Sequence, residues 1–300
     1  PKKYSPATIE FVDVAGVSRG GKGNEVFQAI RQTDALVHVV RCFDNDDIFL
    51  EKADAKRDAE TFDLEMILAD IEIVERRLER AKKNAKGGDK KYKHECEMCE
   101  ALIAHLEEEK PARSFDFGDD DSGILVDGGL MTVKPVIYVA NLDEDGMADY
   151  ASNAGFKALS AIAEAQGAAV LPVAANFEED ISEMDADEAK MFMEDLGLNE
   201  TGLDRLIRTS YDLLGYISFL TAGEDDVHAW TIVRGTKAPK AAGKIHTDIE
   251  RGFIRAEIVA FEDLKSCGSM AAAKEKGLLR LEGKDYVMQD GDVTNFRFNV

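Results

Sequence analysis

Val136, Ile137, Tyr138, Val139 and Ala140 form a short apolar run, with Pro135 before it and the acidic residues Asp143 and Glu144 after it. A run of this length between turn residues predicts a strand buried on both faces. Strands of that kind belong to parallel sheets covered by helices, and in open sheets ligands sit outside the carboxyl ends of the strands. That end carries Asn141, Leu142, Asp143 and Glu144. An asparagine followed two and three places later by acids can hold a loop and offer hydrogen bonds to the edge of a heterocycle. The same residues also suit an Asx turn that merely ends a strand.

Upstream, Ile9 to Val14 (IEFVDV) predicts a second strand running into Ala15 and Gly16. An aspartate at a strand end, here Asp13, can reach a magnesium shell, and a glycine such as Gly16 lets its amide approach a phosphate closely. Gly16 to Lys22 spells G-x-x-x-x-G-K, but Gly23 stands where a phosphate loop needs a hydroxyl for magnesium, so the match lacks a working part. A helix over Asn24 to Gln32 and a strand over Ala35 to Arg41 complete a βαβ unit. His38, inside that strand, reads as a packed core residue.

From Asp58 to about Lys86 the pattern is a long helix, with Leu64, Ile67, Leu68, Ile71, Val74 and Leu78 on one stripe. Gly87 and Gly88 break it, and a second helix runs from Lys90 to about Lys110 with Tyr92, Cys96, Cys99, Leu102, Ile103 and Leu106 on its apolar side. Two such helices form an antiparallel hairpin, the first roughly 40 Å long. Its tip is basic: Arg76, Arg77, Arg80, Lys82, Lys83, Lys86, Lys90, Lys91 and Lys93 surround the turn. The 300-residue chain carries a net charge of −22, a field that repels polyphosphate surfaces, so binding to them needs local basic patches of this kind. The alternative is a solvated helix face. His94, Cys96, Cys99 and His105 resemble metal ligands superficially, but a single C-x-x-C within a helix places its thiols on the apolar stripe, and no metal site is expected there.

Residues 112–131 read as an acidic linker. After the strand at 136–140 come a helix near Gly155 to Gln166, a strand over Ala169 to Val173, and the turn Ala174-Ala175-Asn176, whose small residues let backbone amides approach a bound ring. Acidic helices follow to about Leu214. From Tyr216 the composition shifts to strands near 229–233, 253–258 and 296–300, with an Ala-rich helix near Ser269 to Lys276, a mix that suits a small α+β module. Arg234, Lys237, Lys240, Lys244, Arg251 and Arg255 give it a second basic region, and His246 reads as structural. No apolar run approaches the roughly 20 residues that span a bilayer, and Pro1 to Ser5 carries no signal-peptide pattern. The expectation is a cytoplasmic, monomeric protein with no membrane partner. Cys42, Cys96, Cys99 and Cys267 are too few and too scattered for a disulfide framework.

Taken together, DVAG at 13–16, DALVHVVRCFDNDDI at 34–48, KGGDKK at 86–91, KPVIYVANLDEDG at 134–146, HAWTIVRGTKAPKAAGKIHTDIERGFIRAE at 228–257 and EGKDYVMQDGDVTNFRFNV at 282–300 resemble the YchF or Obg-like ATPase family. The resemblance covers essentially the whole chain. It implies an α/β fold with a P-loop NTPase-type, mostly parallel sheet, interrupted by an antiparallel coiled-coil hairpin and followed by a TGS domain of β-grasp form. The expected domains are 1–57 with 132–215 for nucleotide binding, 58–131 for the hairpin and linker, and 216–300 for TGS. Asp13 to Gly16 resemble the DxxG motif of switch II, with Asp13 organising Mg2+ through water and Gly16 sensing the γ-phosphate. Asn141 to Glu144 occupy the base-reading position as NxxE instead of NKxD, which in this family accompanies ATP rather than GTP; Ala174 and Ala175 resemble the loop beside the base. Val17 stands where many GTPases have a water-orienting glutamine, so hydrolysis should be slow or need a partner or a cation, K+ being a candidate beside Mg2+. The family's P-loop and switch I lie upstream of DxxG and are not in the residues given, so this stretch alone is expected to be inactive. The function implied is a ribosome-associated ATPase regulating translation or a stress response, with the large subunit or ribosomal RNA as partner. The competing reading is a non-enzymatic RNA- or ribosome-binding adaptor built on the hairpin and the TGS module; a Rossmann oxidoreductase lacks its G-x-G-x-x-G.

Overall fold

The computed structural model describes residues 2–14, 23–45, 51–87, 89–118, 129–195, 198–223 and 225–299. They form two compact units, Val12–Ser210 and Pro1–Phe11 with Tyr211–Val300.

In the first unit, helix α1 (Gly23–Arg31) leads into β2 (Leu36–Arg41), and β3 (Val136–Asn141) and β4 (Ala169–Val173) complete a parallel sheet in the order β2-β3-β4. The central strand is buried throughout its apolar run, as its composition requires. On one face Val40, Val136, Tyr138, Ala140 and Leu142 pack with Ala55 and Ala59 of α2 (Ala55–Ala85) and with Leu159 and Ala163 of α5 (Ala154–Ala165). The connection from β2 to β3 is the hairpin of α2 and α3 (Lys90–Glu107), where Ile67, Val74 and Leu78 meet Met98, Cys99, Leu102 and Leu106. Leu68, placed on that stripe by its spacing, is 55% exposed; it stands one residue, about 100° of helix, past Ile67 and so turns out of the seam. Burial pushes the Cys99 thiol up to about 11.

One buried and one half-buried side chain, Asp70 and Lys134, fasten the returning chain. Asp70 accepts hydrogen bonds from the Met131 and Thr132 amides and from the Thr132 hydroxyl, the last at 2.7 Å, pinning the segment before β3 to the hairpin. Lys134 donates to the carbonyls of Ile30, Arg31 and Thr33, a cation set on the negative end of α1. Three further helices follow the sheet strands: α4 (Glu144–Ala148) after β3, then α6 (Ala175–Glu183) and α7 (Ala186–Asp195) after β4. Glu178 of α6 accepts from the amides of Gly202 and Leu203 and so caps α8 (Gly202–Leu213).

The predicted strand over Ile9 to Val14 is not formed. Its residues carry no strand geometry, and Phe11 and Val12 are 43% and 54% exposed. A strand exists only when a neighbour takes up its amides and carbonyls, and among the described residues none lies alongside; the first βαβ unit therefore lacks its first strand. The chain's first strand is instead β1 (Lys3–Ser5), which pairs parallel to β6 (Asp226–Val233) in the other unit, so the expected grouping of the opening residues with the nucleotide-binding domain is amended there.

That second unit is a six-stranded mixed sheet, β1-β6-β5-β9-β7-β8, with β5 (Tyr216–Ala222), β7 (Phe253–Ala260), β8 (Arg280–Glu282) and β9 (Asp292–Phe298). Ala238, Ala241 and Ala242 of α9 (Ala238–Ile245) let the helix lie close on Ile217, Phe219, Ile232, Ile258 and Phe296. α10 (Thr247–Arg251) is capped by His246, whose Nδ1 accepts from the Asp248 amide, a structural role. Gly252 closes the turn into β7: a Cβ there would stand 2.1 Å from the Asn299 carbonyl oxygen. α11 (Phe261–Cys267) and α12 (Met270–Glu275) complete the unit. Among the described residues no helix is long and apolar enough to cross a membrane.

Candidate functional site

Asn141 and Val173 are register partners at the carboxyl ends of β3 and β4, and the Leu142 amide donates to the Val173 carbonyl at 2.8 Å. The two loops proposed to read a base therefore leave the sheet side by side. Asn141 joins them, since its Oδ1 accepts from the Ala175 amide at 3.2 Å. Ala174, buried, has no side-chain oxygen with which to cap α6. The neighbouring strand supplies that acceptor, which satisfies one of the orphan amides of the helix start.

The other residues of the NxxE stretch divide by role. Leu142 is 3% exposed and packed in the core, so its side chain forms the floor under the loop rather than a surface on it. Asp143 caps α4, accepting from the Gly146 amide at 2.8 Å. Glu144 opens that helix and is exposed, an acid on the favourable end of the dipole. The Asp143 bond reaches three residues on and is a helix N-cap rather than an Asx turn, and it stands beside the loop joint at Asn141. Asp13 is described and exposed. Gly16, Val17 and the G-x-x-x-x-G-K look-alike lie outside the described residues.

A cavity of about 310 Å³ opens beside this edge, lined by Cys42, Phe43, Asp44, Asp143, Asn153 and Gly155. The larger cavity, about 670 Å³, is elsewhere, at the foot of the hairpin between the start of α2 and the end of α5. Size favours the second; the strand ends bring two loops and the Asn141 amide side chain together at the carboxyl edge of the parallel sheet, and on that ground the edge is the candidate site. Among the described residues no three His, Cys, Asp or Glu side chains gather to hold a metal. Magnesium commonly binds with most of its shell from water and a phosphate chain and with one or two carboxylates, and Asp13 is the carboxylate that the DxxG motif offers.

At the hairpin tip the nine cations are not equivalent. Arg77 is half-buried and paired with Glu95 at 2.8 Å, and Lys82 pairs with Glu100 at 3.0 Å. Both tie α2 to α3 across the seam. Arg76 donates to the Glu72 carbonyl. Arg80, Lys83, Lys86, Lys90, Lys91 and Lys93 are exposed and make no ion pair among the described residues. In the second unit, Lys237, Lys240 and Arg251 are held by Asp285, Glu250 and Asp248, which leaves that basic region weaker than its composition suggests.

Sequence reasoning did not find the buried polar group at the base of the hairpin. Tyr138 donates to Asp63 Oδ2 at 2.8 Å, and Gln166 and Arg113 complete the cluster. One signal was available: a buried phenol in an otherwise apolar strand must find a partner for its hydroxyl.

Comparison with known proteins agrees with this architecture. A family model for the YchF GTPase C-terminal region, described as "Protein of unknown function (DUF933)", matches residues 216–299. The "Ribosome-binding ATPase YchF" of Bacillus subtilis is 48% identical over 100% of this chain and 84% of its own length, and that of Escherichia coli O157:H7 is 44% identical with the same coverage. The "Obg-like ATPase 1" of Oryza sativa is 39% identical over 100% of this chain and 78% of its own. Among solved structures, the Schizosaccharomyces pombe YchF GTPase superposes with a TM-score of 0.85 at 33% identity, covering 94% of this chain and 77% of that one.

Proposed function

The chain belongs to the YchF family, and from that premise we propose that it is a ribosome-associated protein of the cytoplasm that binds and hydrolyses ATP in preference to GTP. The names of its relatives divide on the nucleotide, ATPase for the curated proteins and GTPase for the solved structure, so the choice of base has to be argued from the residues. The observation that carries it is the joint at Asn141. With Oδ1 engaged by the Ala175 amide, the Asn141 amide nitrogen is left to donate to a ring nitrogen of adenine, on a loop that buried Leu142 anchors from below. Guanine recognition by NKxD uses a short aspartate that accepts from the ring and exocyclic nitrogens. Glu144 is longer and sits in the first turn of α4, and Leu142 offers no donor in place of the lysine.

Asp13 would reach magnesium through water, and the ion would supply charge neutralisation to the phosphates. Gly16, by its motif, would sense the γ-phosphate. With an apolar Val17 next to that motif, hydrolysis is slow and depends on K+ or on the ribosome for activation. The exposed cations of the hairpin tip contact phosphates of ribosomal RNA in the large subunit.

The adaptor reading shares the tip and denies the nucleotide a role, and co-sedimentation of the full-length protein with ribosomes separates the two. Binding that changes with ATP and weakens on tip reversal supports the proposal. Binding indifferent to ATP, with no ATP hydrolysis, supports the adaptor.

A further inference from the structure

The polar cluster at the foot of the hairpin is unevenly satisfied. Asp63, on α2, is 7% exposed. Its Oδ2 accepts from the Tyr138 hydroxyl at 2.8 Å and from Gln166 Nε2 at 3.2 Å. Its Oδ1 is buried and has no hydrogen-bond partner among the described residues. Arg113, in the 3-10 turn Ala112–Ser114 that closes the hairpin, shows the complementary defect. Its Nη groups donate to Gln166 and to the Thr132 carbonyl, while its Nε is buried and unpaired. Arg113 Nη2 stands 3.8 Å from Asp63 Oδ2, beyond hydrogen-bond range.

A side-on arginine–carboxylate fork uses Nε–H and one Nη–H on the two carboxylate oxygens. The atoms such a fork needs and the present arrangement leaves idle are Arg113 Nε and Asp63 Oδ1. Approach by about 1 Å brings Arg113 Nη2 to the usual charge-assisted distance from the carboxylate, which leaves Nε and Oδ1 as the atoms available for the second arm of a fork, at the expense of the Tyr138 and Gln166 bonds now crowded on Oδ2. Tyr138 also has one proton for two acceptors, Asp63 Oδ2 and Gln166 Oε1, so each arrangement leaves something unpaired. An unpaired buried polar group is costly, and packed interiors shift between discrete arrangements rather than deform continuously.

We propose that Asp63 alternates between Tyr138 of β3 and Arg113 of the 3-10 turn, and that this exchange is a two-state joint between the central strand and the foot of the hairpin. Tyr138 lies three residues before Asn141 on the same strand, and Asp63 lies about 33 Å of helix below the tip, so a small displacement at the foot is amplified at the far end. His38, packed against Phe62 and Tyr138 with its Nδ1 unpaired, walls the same cluster. The joint stands whether or not the strand edge binds a nucleotide.

Spin-label distances in the full-length protein test this directly, with labels at Lys91→Cys on the tip and Lys157→Cys on α5, both exposed positions. The background carries Cys96→Ser and Cys267→Ser; Cys42 and Cys99 are buried, with thiols pushed up to about 11, and do not label. The expected result is two distance components. Tyr138→Phe frees Asp63 for the fork and raises one component about tenfold relative to the other; Arg113→Lys keeps the charge without the fork and shifts the ratio about tenfold the opposite way, the worth of one charge-assisted hydrogen bond. Thermal melts establish which variants fold. Should Tyr138→Phe fail to fold, Gln166→Leu, which also unloads Oδ2, takes its place. One unchanged distance across the folded variants, or shifts in the same direction, overturns the proposal.

Discussion

Asn141 caps a helix through its amide oxygen, and its amide nitrogen is the group to which the proposed base contact falls. Asn141→Ala removes the acceptor for the Ala175 amide. A lost cap costs about 1 kcal/mol, or roughly 2–4 °C in Tm for a unit of this size, and ATP affinity should fall about tenfold with it. Differential scanning fluorimetry and titration of the same variant read both effects. His38 makes the second prediction at this scale. Burial, chiefly, holds its pKa below the ordinary 6.5; Asp63 opposes that and Arg113 adds to it. Unfolded, the imidazole takes up its proton at higher pH than it does folded. Stability is therefore fully present above about pH 6.5 and is lost as pH falls through the depressed folded value. Tm should drop on acidification from pH 7 to 5.5, and His38→Gln should flatten that slope; an equal slope in the variant removes His38 from the account. Neither the Asn141 cap nor the Tyr138–Asp63 bond was legible in the sequence, because each joins residues brought together only by the register of neighbouring strands and helices.

Among the elements, periodicity carried most of the information. The hairpin helices, β2, β3 and β4 follow from apolar spacing, because each buries one stripe or a whole run against a single neighbour. Ile9–Val14 has the same composition and no strand, since pairing depends on what lies alongside. α4 was not legible: five residues, Glu144–Ala148, make barely more than one turn, held by the Asp143 cap and by the Met147 amide on the Asp143 carbonyl. At the tip, Arg77 and Lys82 read like their neighbours in sequence yet fasten the two helices together. This yields a graded prediction. Reversing Lys83, Lys86, Lys90 and Lys91 to Glu should weaken ribosome co-sedimentation at least about tenfold and lower its salt dependence, as expected for lost phosphate contacts, with the melt unchanged. Arg77→Glu should lower Tm by forcing a like charge against Glu95. Equal loss of binding from both variants without a stability change would contradict the division of roles.

Across the whole molecule, a net charge of −22 is set against a cluster of exposed cations at the end of a long helical hairpin, an arrangement that concentrates attraction for polyphosphate locally. Each unit has its own sheet and core, and the strand-end site and hairpin belong to the same one. The family and the sheet class were legible because whole runs such as KPVIYVANLDEDG carry them; the proposed choice of nucleotide is argued from three side chains, Asn141, Leu142 and Glu144, and from the loop joint behind them. Calorimetric titration of the full-length protein with ATP and with GTP, in magnesium buffer and repeated on Asn141→Ala, tests that choice most directly. Tighter binding of ATP, lost in the variant, is the predicted result; tighter binding of GTP, or ATP binding untouched by the substitution, would contradict it.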